Sequence, residues 1–385
     1  MDIDAIVAEV AAAVGLAEGE SGVRDVLAVI ARSEPVPTSQ ISRAAELPVP
    51  LVTAVCNELR KRGVVDKTRP VRLTATAREL TSRTRVDAVC ADCGGAGLML
   101  PDSLSGLADE LERVAAGAPQ ARFDLDQTHC TVATKIHRVL RLQDAHALDG
   151  KQVLLLGDDD LVAVAIDRFA RLTGAAASVT VIDTDPAVLG WIGSQTPGGG
   201  IRLVEHDLRQ PLPAGLAGAF DVVCTDPPYT VAGAALFLSR AVSALRPQPG
   251  GQVFFSFGAR RPDETLATQR LIASLGLVVR SLTPNFNSYV GAGILAGTSH
   301  LYHLRSVEGA APLAGGSFVA GEYSGPLYTA QTRGERIRPY RCAACGTIHQ
   351  VGTPPWRTIA DLKAAGCPSC GGATFRPMAR SERSE

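Results

Sequence analysis

The sequence lacks any apolar run of about 18 residues or more, which excludes a membrane-spanning helix on length alone. It also lacks net charge. With 38 basic and 39 acidic side chains the balance is −1, so the chain is not coated with cations for nucleic acid, although local patches stay open. The pairing of low hydrophobicity with high net charge that marks disorder is missing as well, since 46% of residues are hydrophobic and 20% charged. The opening stretch MDIDAIVAEVAAAVGLAEGE has no basic lead and no signal-peptide layout, which predicts a cytoplasmic protein. No internal repeat stands out, and no Ser/His/Asp or Cys/His set has the context that hydrolase chemistry needs. What is present is apolar material enough for real cores, and 385 residues divide into two or three domains at roughly 100–200 residues each. Cysteine is oddly distributed. Of nine, six fall in three C-x-x-C pairs, a spacing that reads in a cytosolic chain as metal ligation before disulfides.

The chain divides by pattern. Residues 1–85 open with an amphipathic helix, followed by helical spacing in VRDVLAVIARSE and VPLVTAVCNELRKRG. A strand–turn–strand pattern in VVDKTRPVRLTATARELT completes a winged-helix plan. Residues 21–85 carry a local excess of six positive charges, yet such modules serve docking and dimerisation as well as DNA binding. Residues 86–147 form a connector holding Cys90 and Cys93. Residues 148–308 alternate β-rich runs (KQVLLLG, ASVTVID, IRLVEHD, FDVVCTD, GQVFFSF, HLYHLRS) with helical stretches. That alternation predicts an α/β fold: a doubly wound, mostly parallel sheet with helices on both faces. Residues 309–335 are Gly/Ala/Pro-rich and read as a linker, and residues 336–380 as a small metal-bound module.

Open α/β sheets bind ligands at the carboxyl ends of their strands. Here those ends are acidic: Gly157-Asp158-Asp159-Asp160 after the first run, Asp183 after the second, Asp207 after the third, Asp226-Pro227-Pro228-Tyr229 after the fourth. One such acid would be a helix cap or a solvated turn. Four in succession call for a ligand. The spacing resembles the nucleoside-binding half of the S-adenosylmethionine-methyltransferase-type Rossmann fold. That resemblance assigns Asp183 to the ribose hydroxyls and Asp207 with Leu208 to adenine. The D-P-P-Y segment resembles the motif with which amino-group N-methyltransferases hold a nucleophilic nitrogen. Its two prolines lack N–H groups and leave carbonyls as acceptors.

The first loop departs from that pattern, because only Gly157 remains where close backbone approach to a nucleotide favours several glycines. Three carboxylates there would repel the carboxylate of S-adenosylmethionine and welcome a donor without one, or a polycationic acceptor. With Cys90/Cys93, FDLDQ at 123–127, Thr131, LGDDDL at 156–161, TDPP at 225–228 and NFNSY at 285–289, the chain resembles the branched-chain polyamine synthases, the N(4)-bis(aminopropyl)spermidine synthases, over roughly residues 20–305. The resemblance implies aminopropyl transfer from decarboxylated S-adenosylmethionine to the internal nitrogen of a linear polyamine such as spermidine, in a homodimer. It implies Asp159 as the group that takes the amine proton, with Asp158 and Asp160 neutralising flanking ammonium groups. Asp126 and Tyr289 would line the amine channel, and Asp226, Pro227 and Tyr229 would hold the acceptor.

Cys342-x2-Cys345 and, 21 residues on, Cys367-x2-Cys370 have zinc-ribbon spacing, each pair followed by a glycine at the knuckle, and are expected to hold one structural zinc. Cys90 and Cys93 form half a site. Cys56 and Cys224 sit in apolar runs as core residues. Two other readings stay open. A nucleic-acid or small-amine N-methyltransferase would use D-P-P-Y with the winged helix and ribbon, though an acidic cleft repels phosphates. A winged-helix regulator with a degenerate Rossmann domain would sense a small cation.

Overall fold

Five helices lead the chain: α1 (Ile3–Val14), α2 (Gly19–Ser33), α3 (Thr38–Ala44), α4 (Val49–Lys61) and α5 (Ala75–Thr81). The computed structural model describes residues 2–81, 97–198, 200–290, 297–328, 338–351, 356 and 359–377; Cys90 and Cys93 lie outside them. Apolar residues at helical spacing close one core around Val10, Val26, Ile30, Ile41, Val55 and Leu59. The strand pair expected after α4 is reduced to two antiparallel bridges, Val36–Val71 and Val65–Leu73. Several of the arginines that gave this segment its positive excess face its own acids: Arg24 meets Asp4 at 2.7 Å, Arg62 meets Glu9 at 3.0 Å, and Arg78 pairs with Glu34.

After α6 (Ser105–Ala116) and α7 (Val132–Asp144) come β1 (Gln152–Leu156), α8 (Val162–Thr173), β2 (Ser178–Asp183), α9 (Pro186–Gln195), β3 (Ile201–Glu205), β4 (Val222–Thr225), α10 (Val231–Ala244), β5 (Gln252–Phe257), α11 (Pro262–Ser274), β6 (Leu277–Ser288) and β7 (Thr298–Ser306). The seven strands form one sheet in the order β3-β2-β1-β4-β5-β7-β6. The first five run parallel, while β7 pairs antiparallel with both β5 and β6. β1 and β5 are mostly apolar and buried nearly throughout because helices cover both sheet faces. One face packs under α6–α9 through Leu107, Val139, Val164 and Ile192, the other under α10 and α11 through Leu238, Ala241 and Ile272. The chain order reverses between β1 and β4, and there the strand ends open a crevice.

Two expectations need correction. The stretch 277–288, not read as a strand, is β6, the outermost strand, exposed at Val278, Val279 and Leu282. Residues 309–328, read as linker, fold back onto α10 as a strap. Leu313 N–H donates to Ser239 at 3.0 Å, Arg240 bonds the Gly321 carbonyl, and Phe318, Tyr323 and Leu327 pack on Leu236. By its internal contacts the chain divides into Met1–Tyr328 and Thr329–Glu385. Among the described residues no helix is long and apolar enough to cross a membrane. The second unit is a three-stranded sheet of β8 (Arg338–Cys342), β9 (Ile348–Val351) and β10 (Phe375–Pro377) in the order β9-β8-β10, with a helix over Ile359–Ala365.

Candidate active site

The turn from β1 into α8 is built by two left-handed residues. Gly157 has φ +73, where a side chain is disfavoured, and Leu161 takes φ +57 with its side chain buried. A bulky residue in that region stores about 1–2 kcal/mol, held here by the packed core beneath. Between them the three aspartates diverge. Asp158 turns inward and accepts the N–H groups of Val162 (2.7 Å) and Ala163 (2.9 Å), so it caps α8. Burial, opposed by those two bonds, pushes its carboxyl up to about 8. Asp160 is also buried, and accepts from Arg138 Nη1 at 2.7 Å and from the Cys130 N–H. Burial works against its charge, but Arg138 and Lys135 outweigh it and hold the carboxyl below its ordinary range.

Asp159 differs from both. Part of its surface stays open, and its one recorded side-chain bond is the Thr128 N–H, 3.1 Å from Oδ2. Its dense surroundings, with the charges of Asp160, Asp226 and Asp183, hold its carboxyl well above the usual range.

Sequence reasoning missed the organising residue, Arg138. It stands on the inward face of α7 beside Lys135, Val139 and Leu142, all buried. Its Nε donates to Asn287 (2.8 Å), Nη1 to Asp160 (2.7 Å), and Nη2 to Asp226 (2.7 Å) and the Tyr289 hydroxyl (3.1 Å). Asn287 is itself fixed by donating to Ser256 (3.1 Å) and Ser299 (2.9 Å). Tyr289 donates to Asp226 at 2.5 Å and accepts from the Tyr229 hydroxyl at 2.7 Å. Burial raises the Asp226 carboxyl to about 6 despite the guanidinium beside it. Lys135 donates to the Asp160 carbonyl. The signal was available: two basic residues, 135 and 138, share the helical face of the apolar Ile136, Val139 and Leu142.

The D-P-P-Y segment is only partly as expected. Asp226, Tyr229 and Tyr289 converge, but the Pro228 carbonyl accepts the Thr230 N–H at 2.7 Å and lies against α10, where a Cβ at Gly233 would come within 2.3 Å. It faces the helix, not a nucleophile. The Tyr229 ring stands edge-on to Phe257, with centroids 5.6 Å apart. Pro227 is buried at the strand end.

Towards β2 and β3, Asp183 accepts the N–H groups of Asp158 (2.9 Å) and Asp185 (2.8 Å), one on each oxygen, and a carboxylate oxygen has a second lone pair with which to accept. Asp207 is clamped by Arg209, with Nη2 to Oδ2 at 2.6 Å, and that pairing outweighs burial to lower its carboxyl. Leu208 is buried, and its carbonyl accepts Arg240 Nε at 2.7 Å. Asp126, left-handed at φ +56, shares these surroundings. Burial, with the charges of Asp207, Asp126 and Asp183, raises the phenol of Tyr328 on the strap, a residue the linker reading hid. Arg138, Asp158, Asp159, Asp160, Asp226 and Gly157 line one small cavity of about 30 Å³ that runs from this turn towards Phe254 and Leu301.

A family model described as the branched-chain polyamine synthase A C-terminal domain matches residues 106–308, the crevice and the four acidic strand ends included. The chain belongs to the branched-chain polyamine synthase family. It is 31% identical over 290 residues to the N(4)-bis(aminopropyl)spermidine synthase of Thermococcus kodakarensis, covering 72% of this chain and 80% of that one. It is 33% identical over 377 residues to an uncharacterized protein of Methanocaldococcus jannaschii, covering 95% of this chain and 91% of that one. The fold is similar, with a TM-score of 0.65 and 24% identity, to the crystal structure of the Thermus thermophilus branched-chain polyamine synthase in complex with N4-aminopropylspermidine and 5′-methylthioadenosine. The likeness covers 81% of this chain and 96% of that one. Within the synthase family fold, the S-adenosylmethionine-type Rossmann sheet expected from the sequence is thus in place.

In the second unit the ligand atoms of Cys342, Cys345, Cys367 and Cys370 all lie within 4.8 Å of one another. Gly346 and Gly371 take φ +77 and +74 at the two knuckles. Four thiols so gathered fit a tetrahedral zinc. His349 Nε2 approaches Cys367 Sγ at 3.2 Å and is wedged between Trp356 and Phe375, the outer support that orients a metal-binding thiolate.

Proposed function

We propose that the chain is an aminopropyltransferase that moves aminopropyl groups from decarboxylated S-adenosylmethionine to the internal nitrogen of a linear polyamine such as spermidine, giving a branched polyamine and methylthioadenosine. The observation that carries this reading is a charge arrangement. Asp159 stays partly open, while Arg138, the one cationic side chain among the described residues lining the pocket, is held by the protein's own Asp160 and Asp226. An ammonium group meets an acid there, and a donor carboxylate meets no available cation. The name of the Thermococcus kodakarensis relative and the ligands of the Thermus thermophilus complex support the same reading.

In this reading Asp183 holds the ribose, and Asp207 with Leu208 frames adenine beside Gly157. The acceptor amine lies at Asp226, Pro227, Tyr229 and Tyr289, with Asp126 at the channel. The amine arrives protonated and must lose its proton before its lone pair can attack. Asp159 takes that proton, with Asp158 and Asp160 shaping the charge around it. The nitrogen then displaces sulfur at the neighbouring methylene: the N–C bond forms, the C–S bond breaks, and sulfur leaves as the neutral thioether. Positioning the two reactants is the enzyme's main contribution. Cys342, Cys345, Cys367 and Cys370 would hold one structural zinc ion. A homodimer in the cytoplasm completes the reading.

The test is an incubation of the full chain with decarboxylated S-adenosylmethionine and a panel of spermidine, norspermidine and spermine. A heavier polyamine is expected by mass spectrometry, with one methylthioadenosine released per aminopropyl group added. Turnover with intact S-adenosylmethionine and none with the decarboxylated donor would falsify it. The N-methyltransferase reading rests on the D-P-P-Y segment at 226–229 with the leading helical region and the four-cysteine module, and that outcome would favour it.

A further inference from the structure

Arg138 is the one cationic side chain among the described residues lining the pocket that also holds Gly157 and Asp158–Asp160. A guanidinium in such a place is normally a receptor for carboxylates, because its planar fork matches them. Here four of its five N–H groups are already engaged, by Asn287, Asp160, Asp226 and Tyr289. The acceptors are fixed in turn: Asn287 by Ser256 and Ser299, Tyr289 by Tyr229. The fork cannot turn towards a ligand without breaking a buried network.

We propose that the Arg138–Asp160–Asp226 triad sets donor specificity by withholding the pocket's guanidinium from the carboxylate that distinguishes intact S-adenosylmethionine from its decarboxylated form. The proposal rests on the reading of this pocket as the donor site. It differs from simple repulsion by the acidic turn, because it assigns selectivity to the saturation of one cation. If Asp160 or Asp226 is neutralised to asparagine, its amide oxygen can still accept the N–H, but the guanidinium charge on that arm is no longer cancelled and is freed to act on the pocket. The two forms of the donor should then change rank.

Dissociation constants for both forms, measured by titration calorimetry on the full chain, test this in wild type, Asp160→Asn, Asp226→Asn and the double variant Arg138→Met/Asp160→Asn. Each Asn variant should shift the affinity ratio towards intact S-adenosylmethionine by at least about ten-fold, the scale of a charge-assisted pair. The double variant should lose that gain. Asp226→Asn leaves the charge on the second arm uncancelled, so the prediction survives if Asp160→Asn fails to fold. A ratio unmoved in folded Asn variants, a gain that persists without Arg138, or a wild-type chain that binds both donors equally overturns the proposal. Selective binding and a shifted ratio without aminopropyl transfer would support the triad's role while sinking the proposed reaction.

Discussion

Oδ2 of Asp159 accepts the backbone N–H of Thr128 at 3.1 Å, which ties the segment before α7 to the acidic turn after β1. That contact orients the carboxylate and favours its ionised form, but burial and the charges of Asp160, Asp226 and Asp183 outweigh it and hold the carboxyl above its usual range.

Replacing Asp159 with Asn should therefore separate stability from activity. Turnover should fall by about 10²–10⁴-fold, the range for loss of a positioned proton acceptor. The thermal midpoint at pH 8 should rise, because a buried acid crowded by like charge is removed. A variant that is both inactive and less stable than wild type would contradict the assignment.

The pH dependence of folding has a defined sign. Asp158 and Asp226 are raised to about 8 and about 6, and Asp159 is raised as well, so the native state binds more protons than the unfolded chain across this range. Stability of the free protein should fall as pH rises from 5 to 8. Asp160, held low, works the other way, and its contribution is lost only as the solution turns acid. A bound polyamine favours the ionised carboxylates, so spermidine should raise the melting temperature more at pH 8 than at pH 5.5. Scanning calorimetry at the two pH values reads both slopes.

Asp158 acts as a cap whatever its charge does for substrate. Asp158→Ala should lower unfolding free energy by about 1–2 kcal/mol, with Asp158→Ser restoring most of it. Urea denaturation of the pair decides this, since a purely electrostatic role would leave Ser as weak as Ala.

Arg240 joins the loop after β3 to the strap, donating to the carbonyls of Leu208 (2.7 Å), Arg209 (3.1 Å) and Gly321. Arg240→Ala should raise KM for the nucleoside donor by about ten-fold or more, with a much smaller change in kcat, because uniform binding is lost and not chemistry. Steady-state kinetics at saturating polyamine measures the split.

The tail should carry one zinc per chain by elemental analysis, lost in Cys367→Ser. Trp356 stands 5.3 Å from His349, edge-on, and the chain has two tryptophans. In a Trp191→Phe background, chelation should therefore change the remaining tryptophan emission. Metal-free protein with unaltered emission would argue against the four-cysteine site.

The acids of the site were legible because strand ends in an alternating pattern can be located from periodicity alone, and Asp159, Asp183, Asp207 and Asp226 lie where that pattern put them. Arg138 escaped because a basic residue on an amphipathic helix reads as solvated unless its exact face is known. β6 escaped because Pro284 and the polar Asn285-Phe286-Asn287 run break strand alternation, and its pairing with β7 shifts register there. The strap at 309–328 has a linker's composition, and only Leu313, Phe318, Tyr323 and Leu327, spaced irregularly, betray its anchorage. Tertiary packing, not local propensity, makes each of these.

Asn287, which braces Arg138, lies two residues beyond Asn285, whose side chain donates to the Arg43 carbonyl in the leading helices at 2.8 Å. His300 on the adjoining strand faces Glu46 at 3.8 Å. A fragment trimmed to the family-matched stretch 106–308 would bare that seam on one flank and strip the strap from the other. The compact unit that keeps both supports is Met1–Tyr328, and trimming to homology boundaries cuts through them.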